Sequence, residues 1–314
     1  MDEFGFELSL CATLEGNETP QIVSRQLGAS TTGSRIVDVV TVTPGSAFGA
    51  RTRISPATIP ALAIDADVGV GRYRYWKAAF DCNADRARAV IDRAVEIGFF
   101  ERERRGGRTY IRQTARYPDW IGTVRAIENK PDLGAPGALE RQLQFDVSLG
   151  VCDEVVLATN SHVTGAHLNR IPEAVGVWEF DPDTTECDVI RSPTPLSDGP
   201  GVEPTDRKPS HTAIELVSDA QKQRLRRTIA ERAYGNGWRV PFPACPHVEN
   251  HTVGGVDGIP FCTNCEAIVR PATACESAGG YPHPIDLDER RNAHSPWIRR
   301  PPDARTEQGS LDAF

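Results

Sequence analysis

The sequence predicts an α/β protein whose core has three layers, with helices on either side of a mixed sheet. Short runs rich in β-branched residues alternate along the chain with segments whose apolar residues recur at helical spacing. Apolar residues make up 39% of the chain and charged residues 25%, so most of it can bury a core. A length of 314 residues suggests roughly two domains of about 150 residues each.

The predicted core comes in two blocks, residues 1–43 and 118–191. The first block contains a helix with apolar residues at helical spacing and two strands, the second of which reads Ile-Val-Asp-Val-Val-Thr-Val. The predicted elements are helix 3–15, strands 20–27 and 35–43, strand 120–129, helix 138–149, strand 153–159, helix 165–170 and strand 175–180. Strands with helices between them favour a layered α/β core.

Residues 44–117 form a winged-helix-like insertion in this interpretation. Asn83 is a suitable N-cap for a helix that runs to about Ile97 and is stopped by Gly98. Residues 99–113 then read as a hairpin that turns at Gly106-Gly107, and a further helix is expected at about 73–80.

Arginines crowd this insertion and suggest contact with a phosphate backbone. They are Arg86, Arg88, Arg93, Arg102, Arg104, Arg105, Arg108 and Arg112. The alternative is that Asp92, Glu96, Glu101 and Glu103 neutralise them locally and that the module serves only for packing.

The remainder of the chain divides into three segments. Residues 192–212 are rich in Pro, Ser, Asp and Gly and are typical of a linker. Residues 213–275 hold an amphipathic helix followed by a Cys-rich metal-binding segment. Residues 276–314 contain few apolar residues, so we expect a disordered tail.

Four cysteines gather near the end of the chain, where Cys262-Thr-Asn-Cys265 has the spacing of a zinc knuckle. With Cys245 and Cys275 they supply four thiolates for one tetrahedral ion. His247 and His251 compete for the place of Cys275 or Cys245. Clustered cysteines in a cytosolic chain indicate metal ligands rather than disulfides, and zinc in a structural role is favoured.

Glu128 and Lys130 lie two apart at the end of a predicted strand, so their side chains share a face. Lysine is rare here: the 35 basic residues include only four lysines. Asp38 lies on another strand that we expect to be adjacent. Two carboxylates and a main-chain carbonyl suit Mg²⁺, which activates water for phosphodiester hydrolysis. The alternative is a surface ion pair, worth about 0–1 kcal/mol.

Asp38 in its strand, followed by Glu128-Asn129-Lys130, resembles the PD-(D/E)XK nuclease superfamily, which has the restriction-endonuclease-like fold. The resemblance covers roughly residues 3–45 and 118–180. It implies that Asp38 and Glu128 bind Mg²⁺ or Mn²⁺ and that Lys130 is catalytic. Glu7 matches an acid on the first helix of many members, and Gln142 resembles a glutamine of exonuclease-like members.

Two features depart from the PD-(D/E)XK pattern. Val37 stands where the motif has proline, and residues 44–117 must form an insertion for Asp38 to reach Glu128.

Some exonuclease-like members carry an iron–sulfur cluster, for which Cys11 is the best-placed upstream cysteine; this remains the weaker alternative to zinc. The overall layout also resembles an uncharacterised haloarchaeal family of unknown function.

Charge and hydropathy limit the partners. A net charge of −8 argues against a broad basic nucleic-acid surface but not against a local one. We expect no membrane span, no signal peptide and a cytoplasmic location. The sequence therefore predicts a metal-dependent nuclease acting on nucleic acid, DNA by preference. The alternatives are a non-catalytic nucleic-acid-binding protein on the same fold and a zinc-stabilised interaction protein.

Overall fold

The computed structural model describes residues 2–29, 35–134, 137–196, 198–207, 212–243 and 245–271. Cys275 and the predicted tail at 276–314 lie outside the described residues. Among the helices that are described, none has the length and apolar character needed to cross a membrane.

The described elements confirm the predicted α/β class. In chain order they are α1 (Glu3–Gly16), β1 (Ile22–Gly28), β2 (Ile36–Pro44), α2 (Phe48–Thr52), α3 (Ala61–Ile64), β3 (Arg74–Tyr75), α4 (Ala84–Glu96), β4 (Phe100–Arg105), β5 (Arg108–Gln113), β6 (Ile121–Asn129), α5 (Leu139–Leu149), β7 (Glu154–Thr159), α6 (Gly165–Leu168), β8 (Gly176–Phe180), β9 (Cys187–Arg191), β10 (Gly201–Arg207), β11 (Thr212–Val217), α7 (Asp219–Asn236), β12 (Val248–Val253), β13 (Val256–Cys262) and β14 (Ala267–Ile268).

The central sheet has six strands in the order β1-β2-β6-β7-β8-β9. Among the first three, each strand is antiparallel to its neighbour, whereas β6, β7 and β8 run parallel. The edge strand β9, which the sequence did not predict, returns antiparallel to β8. The chain thus reaches β7 from β6 through α5, as a parallel connection requires a crossover.

Helix α1 is buried almost all round. Asp2 caps it by accepting a hydrogen bond from the Gly5 amide at 2.8 Å. Its apolar side chains join those of the sheet and of β12 and β13 in one hydrophobic cluster. A helix that is apolar on all sides must be covered on all sides. The C-terminal strands therefore cover α1 and are part of the core packing.

The opposite side of the sheet packs against α5 and α7. Ser218 and Gln221 form a capping box at the start of α7, and Ile229, Ala233 and Tyr234 enter the hydrophobic cluster on this side of the sheet. Helices therefore lie on both faces of the sheet.

The segment between β2 and β6 has a hydrophobic core of its own. Ile59, Trp76, Ile91, Phe99 and Ile111 belong to this third cluster, which is separate from the two that flank the main sheet. Its strands form a three-stranded sheet in the order β3-β5-β4. Helix α4 and the β4–β5 hairpin lie within one residue of their expected positions.

Two predicted elements are wrong. The helix expected at 73–80 is the short strand β3 followed by a 3-10 turn at Trp76–Ala78. Tyrosine and arginine alternate from Arg72 to Tyr75, which is a period of two and favours a strand.

The predicted linker at 192–212 contains strand β10, which pairs with β11 in an antiparallel hairpin. Pro204 lies at a register shift in this hairpin, a position where proline is tolerated in a strand. Helix α7 begins at Asp219 and not at 213, because Ser218 caps it there.

Candidate active site

Asp38 and Glu128 come together across two neighbouring strands. Strands β2 and β6 are antiparallel, and Val39 pairs with Ile127, so the next step along each strand places Asp38 opposite Glu128. The amide of Asn129 donates a hydrogen bond to Asp38 Oδ2 at 2.9 Å. Glu128 is only 5% exposed, and Asp38 is half-buried.

Glu7 approaches the same place from α1. Its buried carboxylate accepts hydrogen bonds from Arg25 and from Gln26 Nε2, the latter at 3.0 Å. The same Gln26 nitrogen lies 3.5 Å from Asp38 Oδ1 and so links the two acids. Gln26 has a φ of 55°, in the left-handed region that non-glycine residues rarely adopt. Strain of this kind clusters at functional sites.

Arg35 and Asp146 complete the cluster. Arg35 Nη2 lies 2.6 Å from Glu128 Oε2 and 2.6 Å from Asp146 Oδ2, and its Nε donates to Asp146 Oδ1 at 2.9 Å. The sequence reasoning missed both residues. Asp146 carried a usable signal, because it lies between Leu143 and Leu149 on the apolar stripe of α5, where all three are buried. An acid on such a stripe is buried with a partner.

Charge in this acidic cluster is not balanced. Four carboxylates (Glu7, Asp38, Glu128 and Asp146) face two guanidinium groups (Arg25 and Arg35), a formal charge of −2. Burial, and then repulsion by Asp38, raise the pKa of Glu128 to about 7 despite the opposing effect of Arg35.

The other three carboxyl groups show the same tendency. Burial is the largest cause that raises the pKa of Glu7, of Asp38 and of Asp146 above their ordinary values. All four acids are therefore held in surroundings that disfavour their charged forms.

Lys130 and Gln142 stand apart from this network. Lys130 follows β6 directly, and its amide donates to the Ala158 carbonyl at 2.9 Å. Within the described part of the chain, neither the Lys130 ammonium nor the side-chain amide of Gln142 has a hydrogen-bond or ion-pair partner. Glu128 is buried against Arg35, so the alternative of a surface ion pair between Glu128 and Lys130 is wrong. Asp146, and not Gln142, is the residue that α5 brings to Glu128.

The donor chemistry fits a hard divalent cation, because carboxylate oxygens are the ligands that Mg²⁺ prefers. The geometry adds a condition. Among the described residues, no three His, Cys, Asp or Glu side chains converge to hold a metal ion, and Arg35 contacts one oxygen of Glu128. A cation held by Asp38 and Glu128 therefore has to replace the contact between Arg35 and Glu128.

A match to one protein family covers most of the residues of the acidic cluster. The model of a family of unknown function, DUF5787, matches residues 22–281. The chain belongs to this family. No curated protein and no solved structure matches the chain. The DUF5787 match includes Asp38, Glu128 and Lys130 together with Arg35 and Asp146, and it begins after Glu7.

The cysteine segment lies within the DUF5787 match as well. Cys245 and Cys262 are buried in one small cluster with Val248 and Val269, and Cys265 is exposed in the turn after β13. The carbonyl of His247 accepts a hydrogen bond from the Thr263 amide at 2.8 Å, which places His247 beside the knuckle.

The other predicted ligands have different surroundings. The His251 ring stacks on Phe261, with ring centroids 4.9 Å apart. Cys11 belongs to the large cluster around α1, separate from the cluster of Cys245 and Cys262. Cys275 lies outside the described residues, so the predicted set of four thiolates is seen only in part. Thiolate donors suit zinc, but Cys245, Cys262 and Cys265 do not form a group of three side chains that converge to hold an ion in the described part of the chain.

Proposed function

We propose that this DUF5787 protein is a metal-dependent phosphodiesterase that hydrolyses nucleic acid on a restriction-endonuclease-like core. The observation that carries the proposal is the acidic cluster, in which Asp38 and Glu128 lie opposite each other on β2 and β6 with an excess of buried negative charge. A divalent cation is the partner that balances a formal charge of −2.

The order of elements supports the proposed fold. Helix α1 precedes three antiparallel strands, and α5 then leads to a strand parallel to the third. This succession agrees with the core that the resemblance to the PD-(D/E)XK superfamily implies. Asp38 lies on the second strand and Glu128 on the third, with Lys130 directly after it, and these two strands lie side by side.

The contacts within the acidic cluster give each of its residues a role. Asp38 and Glu128 would hold Mg²⁺ or Mn²⁺, and such an ion would polarise a phosphodiester and lower the pKa of bound water. Glu7 and Gln26 position Asp38, and Asp146 holds Arg35 through two hydrogen bonds, so Arg35 keeps a partner if a cation replaces its contact with Glu128. Lys130 makes no such contact, and its role, which is to orient the attacking water and offset charge on the phosphate, rests on the resemblance to the PD-(D/E)XK superfamily.

The insertion between β2 and β6 supports a nucleic-acid substrate. Its helix, hairpin and sheet order are those of a winged helix, a module that contacts DNA through its helix and wing. Of the eight arginines in residues 83–113, five form ion pairs with nearby acids: Arg88, Arg93, Arg102, Arg105 and Arg112. Among the described residues, Arg86, Arg104 and Arg108 have no carboxylate partner and are exposed, so these three contact phosphate.

Cleavage assays test the proposal directly. Single-stranded and duplex DNA and RNA are incubated with Mg²⁺ or Mn²⁺ from low to molar salt. D38N, E128Q and K130A should each lower the cleavage rate by about 100-fold or more, as loss of a charge-stabilising group does in other enzymes. D188N, at an exposed acid on β9, and K77A, at an exposed lysine of the insertion, are matched controls that keep full activity. A wild type that cleaves none of these substrates ends the proposal.

One observation favours a second function, that of a non-catalytic nucleic-acid-binding protein on the same fold. Arg35 already neutralises Glu128 and lies where a cation has to bind. In that case the protein binds nucleic acid without cleaving it, and D38A leaves the affinity unchanged with or without Mg²⁺.

A further inference from the structure

The solvent face of the β3-β5-β4 sheet carries three tyrosines and three arginines. We call this the tyrosine–arginine face: Tyr73, Tyr75, Tyr110, Arg105, Arg108 and Arg112. The strand register sets it. Tyr75 pairs with Tyr110, and Arg105 pairs with Arg108, so these side chains point to the same side. Phe100 and Ile111, on the other side, are buried in the insertion's own core.

Rings and guanidinium groups are in direct contact across this face. The Tyr75 and Tyr110 rings have centroids 5.8 Å apart. The Arg112 and Arg105 guanidinium groups lie 4.9 Å and 5.3 Å from the centre of the Tyr73 ring. The Arg108 guanidinium lies 5.9 Å from the centre of the Tyr75 ring. All three rings are half-buried, and those of Tyr75 and Tyr110 lie on the side of the sheet opposite Ile111.

The charge of this region opposes that of the chain. Residues 72–75 and 100–113 contain seven arginines and two glutamates, a net charge of +5 in a protein of net charge −8. Glu101 pairs with Arg112, and Glu103 pairs with Arg105. Arg108 is in contact with the Tyr75 ring and has no carboxylate partner among the described residues.

We infer that the tyrosine–arginine face binds single-stranded DNA, with bases stacked on its rings and phosphates held by its arginines. This inference rests on the proposed function and names the form of its substrate. Proteins that bind single strands combine a basic surface with aromatic side chains in this way. A base stacks on tyrosine more favourably than an exposed guanidinium does, so the base displaces the arginine, which is then available to a phosphate.

A single strand fits this face better than the alternatives do. In a duplex the bases are already stacked, which would leave the three rings without a role. An acidic protein would pair with the arginines but would not need a row of stacking rings. RNA is distinguished from DNA by hydrogen bonds to its 2′-hydroxyl. We commit to DNA, and the matching RNA is compared with it in the experiment below.

Binding of labelled single-stranded DNA to the full chain tests the inference, with EDTA present so that no strand is cut. Y75A and Y110A should each weaken binding by about tenfold, whereas Y75F and Y110F keep the ring and should bind within twofold of wild type. R108A should reduce the salt dependence of binding, while R116A, at an exposed arginine outside the face, leaves it nearly unchanged. E101Q combined with E103Q removes two repelling charges and should strengthen binding.

Three results overturn the inference: unchanged affinity for single-stranded DNA when the rings are removed, equal affinity for a duplex of the same sequence, or tighter binding of the matching RNA. Thermal unfolding shows whether each alanine variant is folded, and the phenylalanine variants retain the packing of the ring. The wild type could also bind DNA through the rings and yet cleave nothing with Mg²⁺. That result would contradict the proposed hydrolysis and would still support binding of single-stranded DNA by this face.

Discussion

Two buried clusters of arginine and carboxylate use the same side chains and differ in their charge balance. Glu231, on α7, accepts two hydrogen bonds from Arg51 at 2.7 Å, one from the Ile59 amide at 2.9 Å and one from the Tyr117 hydroxyl at 2.8 Å. One acid faces one guanidinium, and the other Arg51 donors reach main-chain carbonyls. The acidic cluster around Glu128 instead sets four carboxylates against two arginines.

The difference separates a balanced structural cluster from one of the kind that the proposed function requires. A buried ion pair whose hydrogen bonds are all satisfied fixes the position of the elements that supply it. The Arg51–Glu231 cluster joins the insertion to α7 in this way. Extra buried carboxylates with raised pKa values add no such benefit, and groups of this kind are concentrated at functional sites.

The largest expected effect follows from removing one partner of the balanced cluster. E231A leaves the Arg51 guanidinium, which is fully buried, without its counter-charge. We expect a loss of about 3–5 kcal/mol in the free energy of unfolding, measured by urea denaturation. E96A, in an exposed pair with Arg93, is the matched control and should cost about 0–1 kcal/mol. A loss below about 1 kcal/mol for E231A would show that the Arg51–Glu231 pair stabilises the fold no more than an exposed pair does. It would contradict the structural role assigned to this cluster.

The contribution of the acidic cluster to the free energy of unfolding should instead depend on pH. Glu128 has its pKa raised to about 7 in the folded protein from an ordinary 4.5, so the folded state binds the proton more tightly. Its stabilising contribution is complete below about pH 4.5 and is lost as the pH rises through 7. The loss is on the order of 3 kcal/mol. E128Q should remove this part of the slope, so the difference in unfolding free energy between E128Q and wild type should grow from pH 5 to pH 8. An equal difference at both values would contradict the assignment.

A divalent cation should reduce the charge imbalance that distinguishes the acidic cluster from the Arg51–Glu231 cluster. At pH 8, Mg²⁺ or Mn²⁺ at ten times its dissociation constant should stabilise the wild type by about 1.4 kcal/mol. The gain should shrink at pH 5, where protons compete for Glu128, and should vanish in D38N. E231A should keep it, because the balanced cluster has no charge to offset. A cation effect of the same size in D38N would show that the ion binds elsewhere.

The sequence predicted more of the sheet than of its surroundings. The runs of β-branched residues at β2 and β6 were sufficient to place Asp38 and Glu128 on strands, because β-propensity can be read from local sequence. The pairing of those strands is not local, since the insertion, which has a hydrophobic core of its own, separates β2 from β6 along the chain. The Glu128–Lys130 spacing was therefore informative, whereas the partners of Glu128 depended on tertiary packing.

Arg35 and Asp146 show why the partners were missed. They lie 111 residues apart and meet only because α5 crosses the sheet between β6 and β7. Gln142 was chosen by resemblance, one turn before the residue that makes the contact. The hairpin of β10 and β11 was missed for another reason, since proline and glycine weigh against a strand even where a register shift accommodates them.

The smallest expected effect concerns the strain stored beside the acidic cluster. Q26G relieves the left-handed backbone of Gln26 but removes the amide that joins Glu7 to Asp38. The two changes oppose each other, so the free energy of unfolding should shift by less than about 1 kcal/mol. The stabilisation by Mg²⁺ should nevertheless fall, because Asp38 loses the group that positions it. T185G is the matched control: it relieves the same kind of strain in the turn before β9 and should leave the Mg²⁺ response unchanged. If Q26G and T185G respond alike to Mg²⁺, Gln26 has no part in the acidic cluster's function, and its strain belongs to the fold.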